Sequence, residues 1–174
     1  MPHKLFLLTC ILFSLNVFSQ PADKLFIEAA ISKLQHAKSY TLQVAEAMPE
    51  NKYDFKPARE EMNFREQLLH LADNLEWLTS AYLLKVSDTL MESDKKKQKK
   101  EEVIAVVTRA YDNTLYALTH FNPEHLADTV SFFAGPMNKL QIINLISDHQ
   151  THHRAQMIVY LRLNGIRPPG YVGW

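Results

Sequence analysis

His149 and His153 stand four residues apart in Ile142-Ile143-Asn144-Leu145-Ile146-Ser147-Asp148-His149-Gln150-Thr151-His152-His153-Arg154, a segment with helical spacing of its apolar positions. Residues four apart on a helix project from one face, one turn above the other, so two imidazoles placed this way can reach one divalent ion. His70, in Leu68-Leu69-His70-Leu71-Ala72-Asp73, is a third candidate on another helical segment. Three neutral imidazoles hold a divalent cation and leave a position open for water or substrate. Zinc and nickel suit such donors, and the spacing does not choose between them.

Other readings of these residues compete with the metal site. His149 and His152 form an i, i+3 pair, and Leu145, His152 and Val159 make a partly apolar line of their own. A histidine on an apolar stripe can also be a core residue bonded to a carbonyl, and His70, flanked by Asn63, Gln67, Asn74 and Trp77, fits that description. Against an idle role, His149 and His153 share their face with Ile142, Ile146 and Met157. Imidazoles buried there without partners would cost on the order of a few kcal/mol. His36, His120 and His125 lack such a setting and read as surface or loop residues. Asp73, Glu76 and Asp148 are candidates for orienting the ligands through hydrogen bonds. Glu76 is the weakest of them, because six residues from His70 is well round the helix.

Four helical segments must position these groups. The first runs from about Ala22 to Met48 on the repeat Phe26, Ala30, Leu34, Ala37, Thr41, Val44, Met48, and Pro49 stops it. The second starts at a capping box, Asn63 with Glu66, carries Phe64, Leu68, Leu71, Leu75, Leu78 and Tyr82, and ends near Val86. The third, from about Glu101 to Phe121, opens on acidic residues that suit the helix dipole. Residues 129–136 read as a short extended or hairpin-like excursion with a turn at Gly135-Pro136. The fourth runs from about Asn138 to Asn164, with Gly165 as its C-cap and Pro168-Pro169 beyond it. The apolar tail through Trp174 is expected to pack back. The pattern predicts an all-α, four-helix bundle with a long connection between its second and third helices.

Composition narrows the function classes. Lys+Arg and Asp+Glu are balanced at 19 each, so no global field recruits nucleic acid or anionic membrane. The run Lys95-Lys96-Lys97-Gln98-Lys99-Lys100 reads as a solvated inter-helix loop rather than a phosphate-binding patch, since no aromatic residue interrupts it. Lys4 followed by the apolar stretch Leu5–Phe18 has the form of a signal peptide too short to span a bilayer. Val17-Phe18-Ser19 sets the expected cleavage after Ser19, with an uncleaved anchor as the other reading. The expected domains are therefore a signal peptide, 1–19, and one domain, 20–174. Export to the periplasm or medium follows, with no stable membrane insertion after cleavage. Cys10, the sole cysteine, leaves with the signal, so the mature chain has no thiol nucleophile or thiolate ligand.

The order of these features resembles the DinB-like superfamily, which includes damage-inducible proteins and bacterial thiol-dependent transferases. The resemblance rests on Met48-Pro49-Glu50-Asn51-Lys52-Tyr53-Asp54-Phe55-Lys56-Pro57, on Phe64-Arg65-Glu66-Gln67-Leu68-Leu69-His70-Leu71-Ala72-Asp73, and on Asp148-His149 through His153-Arg154-Ala155-Gln156. Tyr160-Leu161-Arg162 and Gly165-Ile166-Arg167-Pro168-Pro169 complete it. It implies a four-helix bundle in which His70, His149 and His153 bind one divalent ion, and so favours His153 over His152. It also implies bundles that are often homodimeric, and enzymes that attach or rearrange small thiols. Those thiols are mainly cytoplasmic, so an exported chain departs from the pattern. The expected function is a metal-dependent transferase or hydrolase acting on a small molecule. The alternatives are a metal- or ligand-binding module without turnover and a structural bundle with vestigial histidines.

Overall fold

The computed structural model describes residues 22–84 and 99–173. Four long helices dominate it: α1 (Ala22–Ala47), α2 (Phe64–Leu78), α3 (Lys100–Thr119) and α4 (Lys139–Leu163). Short 3-10 turns lie at Glu50–Lys52 and Pro123–His125, and the two-residue strands β1 (Thr129–Val130) and β2 (Met137–Asn138) precede α4. The signal segment expected over 1–19 lies outside the described residues, as does most of the basic run.

Local sequence accounts for the helix ends. At the start of α2, Asn63 Oδ1 accepts the Glu66 N–H at 2.8 Å and Glu66 Oε2 accepts the Asn63 N–H at 2.8 Å. Asn138 and Gln141 repeat this reciprocal cap at α4, a signal the reading above did not use. At the other end of α4, Gly165 takes φ +71°, a left-handed value that favours glycine. Its N–H donates to Arg162 O at 3.0 Å while the Ile166 N–H donates to Leu161 O at 2.9 Å. This 6→1 and 5→2 pair closes the helix. Lys100 Nζ donates to Glu46 O at 2.6 Å and Met48 O at 3.2 Å, placing a cation on the carbonyl end of α1.

Side-chain pairs set the helix directions. Lys100 meets Glu46 and Lys38 meets Asp112, so α1 and α3 run antiparallel. Gln67 meets Gln156 and Tyr160, while His70 meets His149, so α2 and α4 are also antiparallel. Glu76 with Asn113 and Thr79 with Thr114 make α2 parallel to α3, and Thr41 with Arg154 fits α1 running parallel to α4. The bundle is thus up-down-down-up. Two parallel neighbours need a connection that returns the length of the bundle, which is the physical reason for the long segment between α2 and α3. As an α-helix α2 ends at Leu78 and continues as a π-helical turn, Thr79–Leu84; the end expected near Val86 lies outside the described residues.

The expected hairpin is present: Val130 pairs with Met137 and Thr129 with Asn138, antiparallel. The tail returns as expected, with Tyr171 edge-on to Tyr40 at 6.0 Å. The core runs through all four helices on Leu34, Val44, Phe64, Leu68, Leu75, Val107, Ile142 and Met157, each at most 4% exposed. Tyr53 fastens the α1–α2 connection: it is fully buried, donates to Ala45 O at 2.9 Å and packs edge-on against Phe64.

Candidate metal centre

The antiparallel pairing of α2 and α4 is what brings the three predicted histidines together. His70 from α2 and His149 and His153 from α4 each offer a nitrogen within 4.8 Å of the others. The ring centroids are 4.6 Å apart for His70–His153, 5.0 Å for His70–His149 and 4.4 Å for His149–His153. The Nε2 atoms of His149 and His153 are 3.2 Å apart. Two nitrogens bound to one tetrahedral ion at ordinary zinc distances stand about 3.4 Å apart. The α4 pair already has that spacing, and a side-chain adjustment on the order of 1 Å brings in His70.

Hydrogen bonding selects the tautomer of His153. Its Nδ1 lies 2.5 Å from Gln67 Oε1, and an amide oxygen only accepts, so Nδ1 carries the proton. The Nε2 lone pair is then left facing His149. Gln67 is itself oriented from beyond: its Nε2 donates to Gln156 Oε1 at 2.5 Å and to Tyr160 Oη at 3.4 Å, while Tyr160 Oη donates to Met62 O at 2.9 Å. Fixing an imidazole through its far nitrogen both aims it and strengthens it as a donor.

The electrostatics keep the pair neutral. Burial, followed by the nearby imidazoles of His70 and His152, holds His149 down to about 4. Burial, followed by His149, His70 and His152, holds His153 down to about 3. Neutral imidazoles at pH 7 are available as ligands without first releasing a proton.

The remaining candidates fall elsewhere. His152 is exposed, and its Nε2 accepts from Gln156 Nε2 at 2.7 Å. Glu76 accepts from Asn113 Nδ2 at 2.8 Å across the α2–α3 seam, and burial raises its pKa, so it serves that seam and not the histidines. Asp148 is exposed and Asp73 half-buried. His120 bonds Tyr116 O and His125 pairs with Asp128, both at the surface, while His36 is partly buried on α1. The ligand-orienting residue that the sequence reading missed is Gln67, three residues before His70. The signal was its place beside His70, but the partner across the seam depends on helix direction, which spacing alone does not give.

An aromatic group lies farther along α2. Trp77 lies seven residues from His70 on the same side of α2, about 10 Å along the axis. It packs against Phe132 at 5.8 Å and Phe133 at 6.2 Å, and Phe133 is 83% exposed. Tyr82, from the π-helical turn, closes the group against Trp77 and Phe132.

Four similarities relate the chain to known proteins. A family model described as the DinB family matches residues 21–173. The uncharacterized protein YjoA of Bacillus subtilis (strain 168) is 24% identical over 144 residues, which cover 78% of this chain and 88% of that protein. The crystal structure of the DinB-like YjoA protein from Bacillus subtilis superposes with a TM-score of 0.69 at 17% identity, over 82% of this chain and 96% of that one. A DinB-like protein from Bacillus cereus ATCC 10987 gives a TM-score of 0.72 at 17% identity, over 84% of this chain and 97% of the other. At such identities the structural likeness speaks for the fold.

Proposed function

The chain belongs to the DinB family, and on that premise we propose that it is an exported metalloenzyme. In this reading His70, His149 and His153 hold one divalent ion, zinc or nickel, and the protein acts on a small molecule as a transferase or hydrolase. The observation that carries the proposal is the convergence of three nitrogens within 4.8 Å, one of them pre-aimed by Gln67. The donor set fits the ion: all three donors are nitrogens, and the α4 pair is 3.2 Å apart and neutral at pH 7.

In that position a divalent ion supplies Lewis acidity toward a substrate. The chain's own residues do the rest. Gln67 holds the proton of His153 on Nδ1, and Tyr160 and Gln156 hold Gln67. Trp77, Phe132 and Phe133 offer an apolar wall on the same side of α2 against which the body of a substrate can lie.

The test is elemental analysis of tag-free protein exported from a bacterial host, with intact mass of the same sample. One equivalent of zinc or nickel and a chain beginning at Gln20 are expected. The metal-loaded form is then screened for transfer and hydrolysis of small substrates. Loss of stoichiometric metal defeats the centre, a retained 1–19 segment defeats release by cleavage, and metal without turnover leaves a binding module.

A further inference from the structure

The seam between α1 and α4, on the opposite flank of α4 from the histidines, opens into a cavity of about 210 Å³. From its lining we propose that this cavity binds a medium-chain carboxylate, with the alkyl chain inside and the acid group toward Lys33. The proposal is independent of the metal centre.

The first observation is space and its character. Phe26, Leu118 and Ile146 give the cavity apolar walls from three helices, and Ala29 and Ala30 leave the room by being small. A cavity of roughly 150 Å³ with aliphatic and aromatic walls suffices for benzene, so this one has room for about eight to ten heavy atoms. A flexible alkyl chain can adapt to a space of this volume.

The second observation is the polar part of the lining. Among the described residues of the lining, Lys33 is the only charged one. Among the described residues none of the ion pairs uses Lys33. Ser147 Oγ is buried and, among the described residues, has no hydrogen-bond partner. Such an orphan is unfavourable in the free protein and calls for an acceptor from outside. Gln150, at the inner end, has its carbonyl oxygen occupied by Tyr111 Oη and Arg154, so the group it can offer the cavity is its amide N–H. With Asn144, whose amide can donate or accept, the lining presents donors beside a single cation, a combination that suits a ligand with an apolar body and an anionic head.

The experiment titrates the full metal-loaded protein with octanoate, hexanoate and octanol, read by calorimetry and by intermolecular NOEs. Octanoate should bind with one-to-one saturation, about tenfold tighter than hexanoate, because two buried methylenes contribute roughly that factor. Lys33→Gln should weaken octanoate about tenfold and leave octanol unchanged. Ala30→Trp should fill the cavity and abolish all three, with helicity and metal content retained. Should Ala30→Trp fail to fold, NOEs from the octanoate methyl to Leu118 and Ile146 in the unmodified protein decide the location. The proposal is overturned if octanoate fails to saturate below its micelle threshold or if its NOEs map elsewhere. Equal affinity for octanoate and octanol that Lys33→Gln leaves unchanged also overturns it.

Discussion

Helix α4 buries polar groups on two flanks, and the two are built on opposite plans. Toward α1 and α3, Arg154 is 4% exposed and donates to Gln150 Oε1, to Thr41 Oγ1 at 3.2 Å and to Thr151 Oγ1 at 3.1 Å. Tyr111 Oη closes the group on Gln150 at 2.7 Å and Thr41 at 2.8 Å, and the guanidinium lies 5.3 Å over the Tyr40 ring. This network turns inward: Arg154 and Tyr111 donate to acceptors within it. Toward α2, the network of Tyr160, Gln156 and Gln67 is also ordered, but it ends in imidazole nitrogens that face one another. A network closed on itself holds a fold together, whereas one that ends in convergent imidazole nitrogens can take a ligand. The comparison sets a polar core that satisfies most of its own hydrogen bonds beside a cluster of three histidines that could hold a metal ion.

The largest effect that tests this contrast is deletion of a ligand. His70→Ala, His149→Ala and His153→Ala should each weaken zinc or nickel binding by more than about 100-fold, beyond what loss of a supporting residue does. Each should keep its far-UV circular dichroism, because the apolar stripes fold without the ion. Collapse of helicity in all three would place the histidines with the structural flank. Next comes Arg154→Ala, which should cost about 2–3 kcal/mol of unfolding free energy through lost charge-assisted hydrogen bonds and packing. Its metal stoichiometry should be unchanged, and metal loss without loss of stability would reverse the two assignments.

The sequence makes the two flanks unequally legible. The i, i+4 spacing of His149 and His153 on the Ile142–Met157 stripe is a local property, and helix geometry alone brings them to one face. The Asn63–Glu66 cap and the Gly165 stop are local too, which is why the bounds of the helices fall close to expectation. Gln67, Arg154 and Tyr111 act across seams between helices distant in sequence. Their roles depend on the up-down-down-up order, which periodicity does not encode. The cavity depends on small residues from two helices distant in sequence, Ala29 and Ala30 on α1 and Ser147 on α4. The π-helical turn at Thr79–Leu84 has no sequence signal that we can name.

A supporting residue should have an intermediate effect. Gln67→Leu keeps the volume of the side chain roughly but removes the acceptor for His153 Nδ1. Metal affinity should fall about 10–100-fold, the usual range for loss of a partner behind a histidine ligand. An effect as large as that of His153→Ala would mean that Gln67 touches the ion.

Acid should then expose the difference without mutation. In the metal-free protein the unfolded chain protonates its histidines near pH 6.5, while His149 and His153 stay neutral in the fold to about 4 and about 3. The unfolded state thus binds more protons in that window. Stability contributed by these groups is complete above pH 6.5 and falls as pH drops toward 3. The opposite flank does not titrate there, since burial pushes Tyr111 up to about 12. Thermal unfolding of the metal-free protein between pH 7 and 4 should show this slope, and the double variant His149→Gln, His153→Gln should flatten it. An unchanged slope would assign the acid sensitivity to other groups.

The smallest effect belongs to His152. Residues 152 and 153 differ by about 100° around α4, so the interior position of His153 turns His152 to the outside. It is nevertheless joined to the centre by a chain of hydrogen bonds. Gln156 Nε2 donates to His152, Gln67 Nε2 donates to Gln156 Oε1, and His153 Nδ1 donates to Gln67 Oε1. Removing the outer end leaves Gln156 exposed to water, which accepts the same proton at little cost. Gln67 keeps Gln156 and Tyr160 as acceptors, so the tautomer of His153 is preserved. His152→Ala should therefore change metal affinity by less than about threefold, well under the range for direct support of a ligand. Isothermal titration with zinc, beside Gln67→Leu and His153→Ala, gives the whole gradient in one series. A loss for His152→Ala equal to that for His153→Ala, with helicity intact, would move the ion to the i, i+3 pair.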